Sequence, residues 1–155
     1  VNILGFIVYY THPAAPPWYY EAYGNILHTS IGSNAAGLIR FDQYFGISFF
    51  EDMYSKGSNV FAAMPSLHSA YPLIGLVYAS RLNKKYFLII FSIVAAGIWF
   101  SAVYLYHHYL LDIIAGIACA ILGITILEKF ILSAPPVKSW LSNFEKAITP
   151  VSRPE

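Results

Sequence analysis

The sequence predicts an all-α membrane protein, a multi-pass bundle of transmembrane helices with one long extracytoplasmic loop containing short helix. Charged residues make up 11% of the 155 residues, against about 25% in a typical soluble domain. Hydrophobic residues reach 57%, and mean hydropathy is +0.56. So little charge cannot coat a water-exposed surface, and the apolar residues fall in runs of membrane-spanning length. The formal net charge of +1 implies no nucleic-acid partner and no acidic one. Cys119, the one cysteine, lies in an apolar run and excludes an internal disulfide framework. Without internal repeats or low-complexity stretches, residues 1–155 read as a single membrane domain.

Each element follows from local composition. Residues 1–10 are apolar but would rise only ~15 Å as a helix, about half a hydrocarbon core. They are expected to be the end of a truncated span, and the chain the C-terminal part of a larger protein. Residues 11–64 are too long for a simple connector and are rich in Pro, Gly, Ser and aromatics. Trp and Tyr favour headgroup depth, where one end of the ring is apolar and the other wet. A short interfacial helix around residues 35–44 and an irregular loop with buried aromatics both fit this stretch. Residues 65–80, 86–106 and 109–131 are expected spans, the first short enough that it should extend at both ends. Residues 132–155 are expected to form a cytoplasmic tail.

Orientation follows from the basic residues. Arg81, Lys84 and Lys85 sit in the turn between the first two spans, and Lys129, Lys138, Lys146 and Arg153 follow or end the third. Only Arg40 and Lys56 fall in the long loop. The positive-inside rule puts the turn and the tail in the cytoplasm, and His68, His107 and His108 at the opposite, periplasmic or lumenal, face.

Asp112 is the most informative residue. A carboxylate within a span costs roughly 2.5–3.5 kcal/mol at mid-membrane, less near the interface, and needs a partner. On a helix, positions four apart are rotated by about 40°, which would place His108 over Asp112 and turn His107 elsewhere. A carboxylate bonded to Nδ1–H would leave Nε2 of His108 as a nucleophile or base. The run Met64-Pro65-Ser66-Leu67-His68 opens another helix at the same face, with Ser66 as N-cap. Backbone N–H groups there would cradle phosphate, and His68, in the first turn, could protonate a leaving oxygen. Two histidines and an aspartate thus converge around an anion. The chemical rival is a two-His, one-carboxylate metal site, disfavoured because no further acidic or Cys ligand clusters nearby. Tyr106 and His107 read as packing or hydrogen-bonding residues, and the Ala95-Ala96-Gly97, Gly116 and Gly123 positions as helix contacts.

Pro65-Ser66-Leu67-His68 and Tyr106-His107-His108-Tyr109-Leu110-Leu111-Asp112 resemble the second and third motifs of the type 2 phosphatidic acid phosphatase superfamily. Ala14-Ala15-Pro16-Pro17-Trp18-Tyr19, Gly37-Leu38-Ile39-Arg40-Phe41-Asp42 and the doubled histidine resemble the branch that contains fungal inositol phosphorylceramide synthase. The resemblance implies a six-helix membrane bundle and a phosphohistidine intermediate formed without metal or other cofactor. It makes His108 the nucleophile, Asp112 its orienting partner and His68 the general acid. Two departures stand out: the family's first motif, a Lys and an Arg-Pro, is not found around residues 12–17, and its third-motif Arg falls at Ala102. Phosphate charge must then be met by other donors: Arg40, Ser66 with the helix N–H groups, or basic residues expected in a part of the protein outside this fragment.

The expected function is transfer of a phospho-head group such as inositol phosphate to or from a membrane lipid. A phospholipid would be the donor and inositol or another alcohol the acceptor, with Trp18 and Tyr19 in the acceptor pocket. Lipid phosphate hydrolysis is the alternative if water is the acceptor. A non-enzymatic membrane protein is the third reading.

Overall fold

The computed structural model describes residues 1–28, 30–57 and 59–149. Among these the chain is helical, its only extended pairing an isolated bridge between Ala14 and Ala62. The helices are α1 (Asn2–Thr11), α2 (Pro17–Tyr23), α3 (Ile39–Phe45), α4 (Phe49–Ser55), α5 (Leu67–Arg81), α6 (Lys85–Tyr104), α7 (Leu110–Ile126) and α8 (Pro135–Ile148). A 3-10 turn, Ala36–Leu38, leads into α3, and α7 runs on as a π-helical turn over Leu127–Ile131. Lys85–Tyr104 and Leu110–Ile131 are long and apolar enough to cross a membrane.

The core is three helices, α5 and α7 running parallel and α6 antiparallel to both. α5 packs along both α6 and α7, and α1 reaches α7. What lies between them is small: Ala70 and Ala120 are fully buried, as are Ser66 and Ser69, and Ala95 is 1% exposed. Small residues let helix backbones approach closely, which replaces bulk hydrophobic packing where the outer face meets apolar surroundings. The large residues point outward: Ile89, Ile93, Phe100, Ile114 and Leu122 are all exposed. Gly116 marks the tightest approach, because a Cβ there would overlap the carbonyl oxygen of Ser66 and crowd the Ser69 side chain. Trp99 of α6 donates its indole N–H to the Ser69 carbonyl at 3.2 Å. At the far end Glu128 pairs with Arg81 and accepts from the Tyr78 hydroxyl at 3.1 Å, tying α7 to α5.

Three elements differ from the sequence reading. α5 keeps to 15 residues and does not extend at both ends. Ser66 is already in extended backbone at its start, and Asn83 adopts a left-handed conformation (φ 53) in the turn that follows its end. The segment expected to hold one short helix holds three, α2, α3 and α4. Asp42 explains the last pair: it is buried, and its Oδ2 accepts the N–H groups of Phe50 and Glu51, both at 2.9 Å. A carboxylate on α3 thereby satisfies the first-turn donors of α4. The stretch read as a tail contains α8, whose Val137, Trp140, Leu141, Phe144 and Ile148 share one face at helical spacing.

Gly116→Ala is expected to destabilise the protein by about 1–3 kcal/mol, the usual cost of overpacking a tight contact, and to push α5 away from α7. Thermal unfolding in detergent would measure it. An unchanged midpoint would mean the two helices have slack at Ser66.

Candidate active site

The site is built on a turn. α6 stops at Tyr104, and residues 105–109 reverse the chain into α7 with Tyr106 in the left-handed region (φ 62). The Ala102 carbonyl accepts two N–H groups, from His107 at 3.1 Å and His108 at 3.0 Å. Two loop segments then meet the outward carbonyls. Gly37 N–H donates to the Leu105 carbonyl and Trp18 N–H to the Tyr106 carbonyl, each at 3.1 Å. A Cβ at position 37 would lie 3.0 Å from the Leu105 Cα, so glycine lets that loop sit this close. The Ala-Pro-Pro-Trp-Tyr and Gly-Leu-Ile-Arg-Phe-Asp patches are therefore the clamps of the His107–His108 turn.

Asp112 sits at the third position of α7, 3% exposed. Its Oδ2 accepts the Tyr109 N–H at 2.9 Å and lies 3.5 Å from Nδ1 of His108. The four-residue spacing predicts both residues on one helix. The structure corrects this: α7 begins at Leu110, so His108 precedes the helix and approaches Asp112 from the turn. The expected bond is a close contact instead, since His108 Nδ1 makes no hydrogen bond. The backbone carbonyl of Asp112 accepts the Ser66 N–H at 2.9 Å. That bond fixes the start of α5 beside the start of α7.

His68 stands in the first turn of α5, its ring centroid 6.3 Å from that of His108. Both rings line a cavity of about 380 Å³ together with Trp18, Tyr54, Ser101 and His107. His108 also borders a second cavity, about 500 Å³, with Arg40, Pro17 and Tyr109. Val103, Tyr104 and Leu110 continue that one into an apolar groove between α6 and α7. Two hollows thus meet at one imidazole.

Some expected site residues stand elsewhere. Ser66 precedes α5 without making the side-chain cap expected of it: it is fully buried, its hydroxyl accepts from Ser69 at 3.1 Å, and it does not line the cavity. Tyr19 is also buried, packed edge-on against Trp18 and Phe61, with its hydroxyl donating to the Ile26 carbonyl and accepting the His28 N–H. Trp18 alone of that pair lines the cavity. Among the described residues no three His, Cys, Asp or Glu side chains are grouped as metal ligands.

Sequence reasoning missed Tyr54 and underrated His107. Their rings stack at 4.8 Å and 23°, and both line the cavity with His68 and His108. Doubling of the histidine was the one visible signal. Burial, reinforced by His108 nearby, pushes the His107 pKa down to about 4, opposed by the Ala35 carbonyl. Burial also raises the Tyr54 hydroxyl, so both groups are neutral at pH 7.

The sign of the resulting pH dependence is fixed. Between pH 6.5 and about 4 the unfolded chain protonates His107 while the folded chain does not. His107 therefore makes stability fall as pH drops through that window, with no further loss from this group below it. Thermal unfolding against pH is expected to show a shallower decline for His107→Phe than for wild type. Parallel declines would place the His107 pKa near its ordinary value.

Comparisons with known proteins agree with the motifs. The chain is 44% identical over 151 residues to phosphoinositol dihydroceramide synthase of Bacteroides thetaiotaomicron, covering 96% of this chain and 49% of that one. It is 33% identical to inositol phosphorylceramide synthase of Candida albicans, over 83% of this chain and 26% of the relative. The catalytic subunit of the Saccharomyces cerevisiae synthase is also 33% identical, over 75% of this chain and 29% of its own. The chain thus spans about half or less of the length of these relatives. No solved structure matches it significantly. The family model of the PAP2 superfamily matches residues 1–126. This chain belongs to the type 2 phosphatidic acid phosphatase (PAP2) superfamily.

Proposed function

We propose that the protein is an integral membrane lipid phosphotransferase that moves a phosphoinositol group from a phospholipid to a ceramide-type alcohol through a phosphohistidine at His108. One observation carries the reading: His108, backed by Asp112, faces His68 across a cavity at 6.3 Å between ring centroids. Both imidazoles border one cavity, where a phosphate ester would meet a nucleophile and an acid together. The acceptor class comes from what the relatives' names say they make.

The chemistry runs in two halves. Nε2 of His108 attacks phosphorus and forms the N–P bond. The bond from phosphorus to the diacylglycerol oxygen breaks, and His68 gives that oxygen a proton. Asp112, 3.5 Å from Nδ1, stabilises the positive imidazole. In the second half neutral His68 takes the proton of the acceptor hydroxyl, whose oxygen displaces His108. Arg40 borders the cavity on the other side of His108 and supplies positive charge where the family's Arg is replaced by Ala102. The apolar groove between α6 and α7 carries the lipid chain up to this point. Membrane orientation follows from the basic turn and tail: the site faces the periplasm or lumen at headgroup depth.

The test is to incubate the full-length protein with a phosphoinositol lipid labelled at phosphorus, with and without ceramide, quench it, and identify both product and labelled residue. Label on His108 and a ceramide product are expected, unaffected by chelator. His108→Ala should abolish both, and His68→Ala should slow turnover by about 10²–10⁴-fold, the usual scale for a general acid. Labelled inositol phosphate released to water at the same rate with or without ceramide would make the protein a hydrolase of the phosphatase class. Activity lost to chelator and restored by zinc would favour a metal site.

A further inference from the structure

Helix α8 has an apolar face that the described residues leave bare. Val137, Trp140, Leu141, Phe144, Ala147 and Ile148 fall within about 120° of helical rotation. Lys138, Ser139, Ser142, Glu145 and Lys146 lie on the opposite side. No residue of α8 is buried, and Trp140 and Phe144 stack their rings at 5.7 Å while both stay exposed. A helix of 14 residues is marginal in water by itself, so such a face needs a cover.

The tether of α8 decides what that cover is. Only Leu132, Ser133 and Ala134 separate the span-length helix Leu110–Ile131 from Pro135. This connection is a closed turn: Leu132 N–H donates to the Leu127 carbonyl at 2.8 Å, and the Ser133 hydroxyl donates to the Glu128 carbonyl at 2.9 Å. Ala134 is extended (ψ 132), which breaks the helix axis, and the two prolines restart it. Three residues reach about 10 Å at most, and a headgroup layer is itself roughly 5–8 Å deep on each side. The first turn of α8 therefore stays at the level where the span ends. Charge matches that level. Lys84, Lys85 and Lys129 lie at the same end of the bundle, and Glu128 there is paired with Arg81. Lys138 and Lys146 then add positive charge on the polar side of α8, facing lipid phosphate. Tryptophan suits the same depth, with one edge apolar and the other wet.

We infer that α8 lies along the bilayer surface, its Trp140–Phe144 face set into the boundary between headgroups and acyl chains of the leaflet where α7 ends. Its partner is the phospholipid surface itself. This rests on the reading of α6 and α7 as membrane spans and is independent of the chemistry at His108.

The experiment is site-directed spin labelling of the full-length protein in nanodiscs of phosphatidylcholine and phosphatidylglycerol, with all other cysteines replaced by serine. Nitroxides are attached to Phe144→Cys and Ile148→Cys on the apolar face, to Ser139→Cys and Ser142→Cys on the polar face, and to Leu122→Cys on the exposed side of α7. The ratio of collisions with oxygen to collisions with a water-soluble nickel chelate should be severalfold higher at Phe144 and Ile148 than at Ser139 and Ser142. Nickel reaching both faces equally would put α8 in water. Shielding of the apolar face from both reagents would mean that protein covers it, whether a second copy or another part of the chain. Either result would overturn the inference. A Leu122 label open to nickel would instead sink the reading of α7 as a span. A second measurement needs no label: fluorescence quenching by phospholipids brominated high on the acyl chain, taken as the difference between wild type and Trp140→Phe. Trp140 should be quenched strongly, and a difference signal that ignores the brominated lipid would also overturn the assignment.

Discussion

A carboxylate buried at the start of a helix must find donors, and the way Asp112 finds them organises everything around it. Its side chain takes the Tyr109 N–H, which closes the first turn of α7. Its main-chain oxygen takes the Ser66 N–H, which starts α5 in the same place. The two helix beginnings carry His108 and His68, so one residue sets the distance between the two imidazoles. The absence of a side chain at Gly116 lets α5 and α7 come together behind that pair. Energetics and geometry are the same fact here: the groups that relieve the burial of Asp112 are those that define the site.

The turn between α6 and α7 poses a second problem of unpaired groups. A left-handed residue at Tyr106 throws the Leu105 and Tyr106 carbonyls outward, where the helices cannot reach them. The segment between α1 and α5 supplies the missing N–H groups from Gly37 and Trp18. It is held down in turn by Asp42 capping α4 and by the Ala14–Ala62 bridge. The loop is thereby a structural half of the His107–His108 turn as well as the wall of its cavities.

The helical class and the α5, α6 and α7 segments were legible because apolar runs and basic turns report on them directly. The convergence of His68, His108 and Asp112 was legible for a partly wrong reason. A four-residue spacing suggested one helix, whereas a sharp turn brings His108 back to the carboxylate from outside α7. Periodicity cannot see a left-handed residue at a tyrosine, since nothing in that side chain favours the conformation. Ser66 and Tyr19 misled in another way: hydroxyls and aromatics suit a pocket as well as a core, and only burial tells them apart. Asp42 gave no sign of its role, because a cap on another helix leaves no mark at a fixed sequence distance. His107 was visible as a doubled histidine, but its stacking on Tyr54 comes from a loop more than fifty positions away.

The clamps at Leu105 and Tyr106 join main chain to main chain, so they carry no side-chain identity. A lineage could exchange the rings and amides that line the cavities, one at a time, while His108 kept its orientation. Change in the walls would then leave the turn that carries the two histidines intact. Position 37 is the exception, tied to a missing Cβ. Drift should run freely around that point and stall at it.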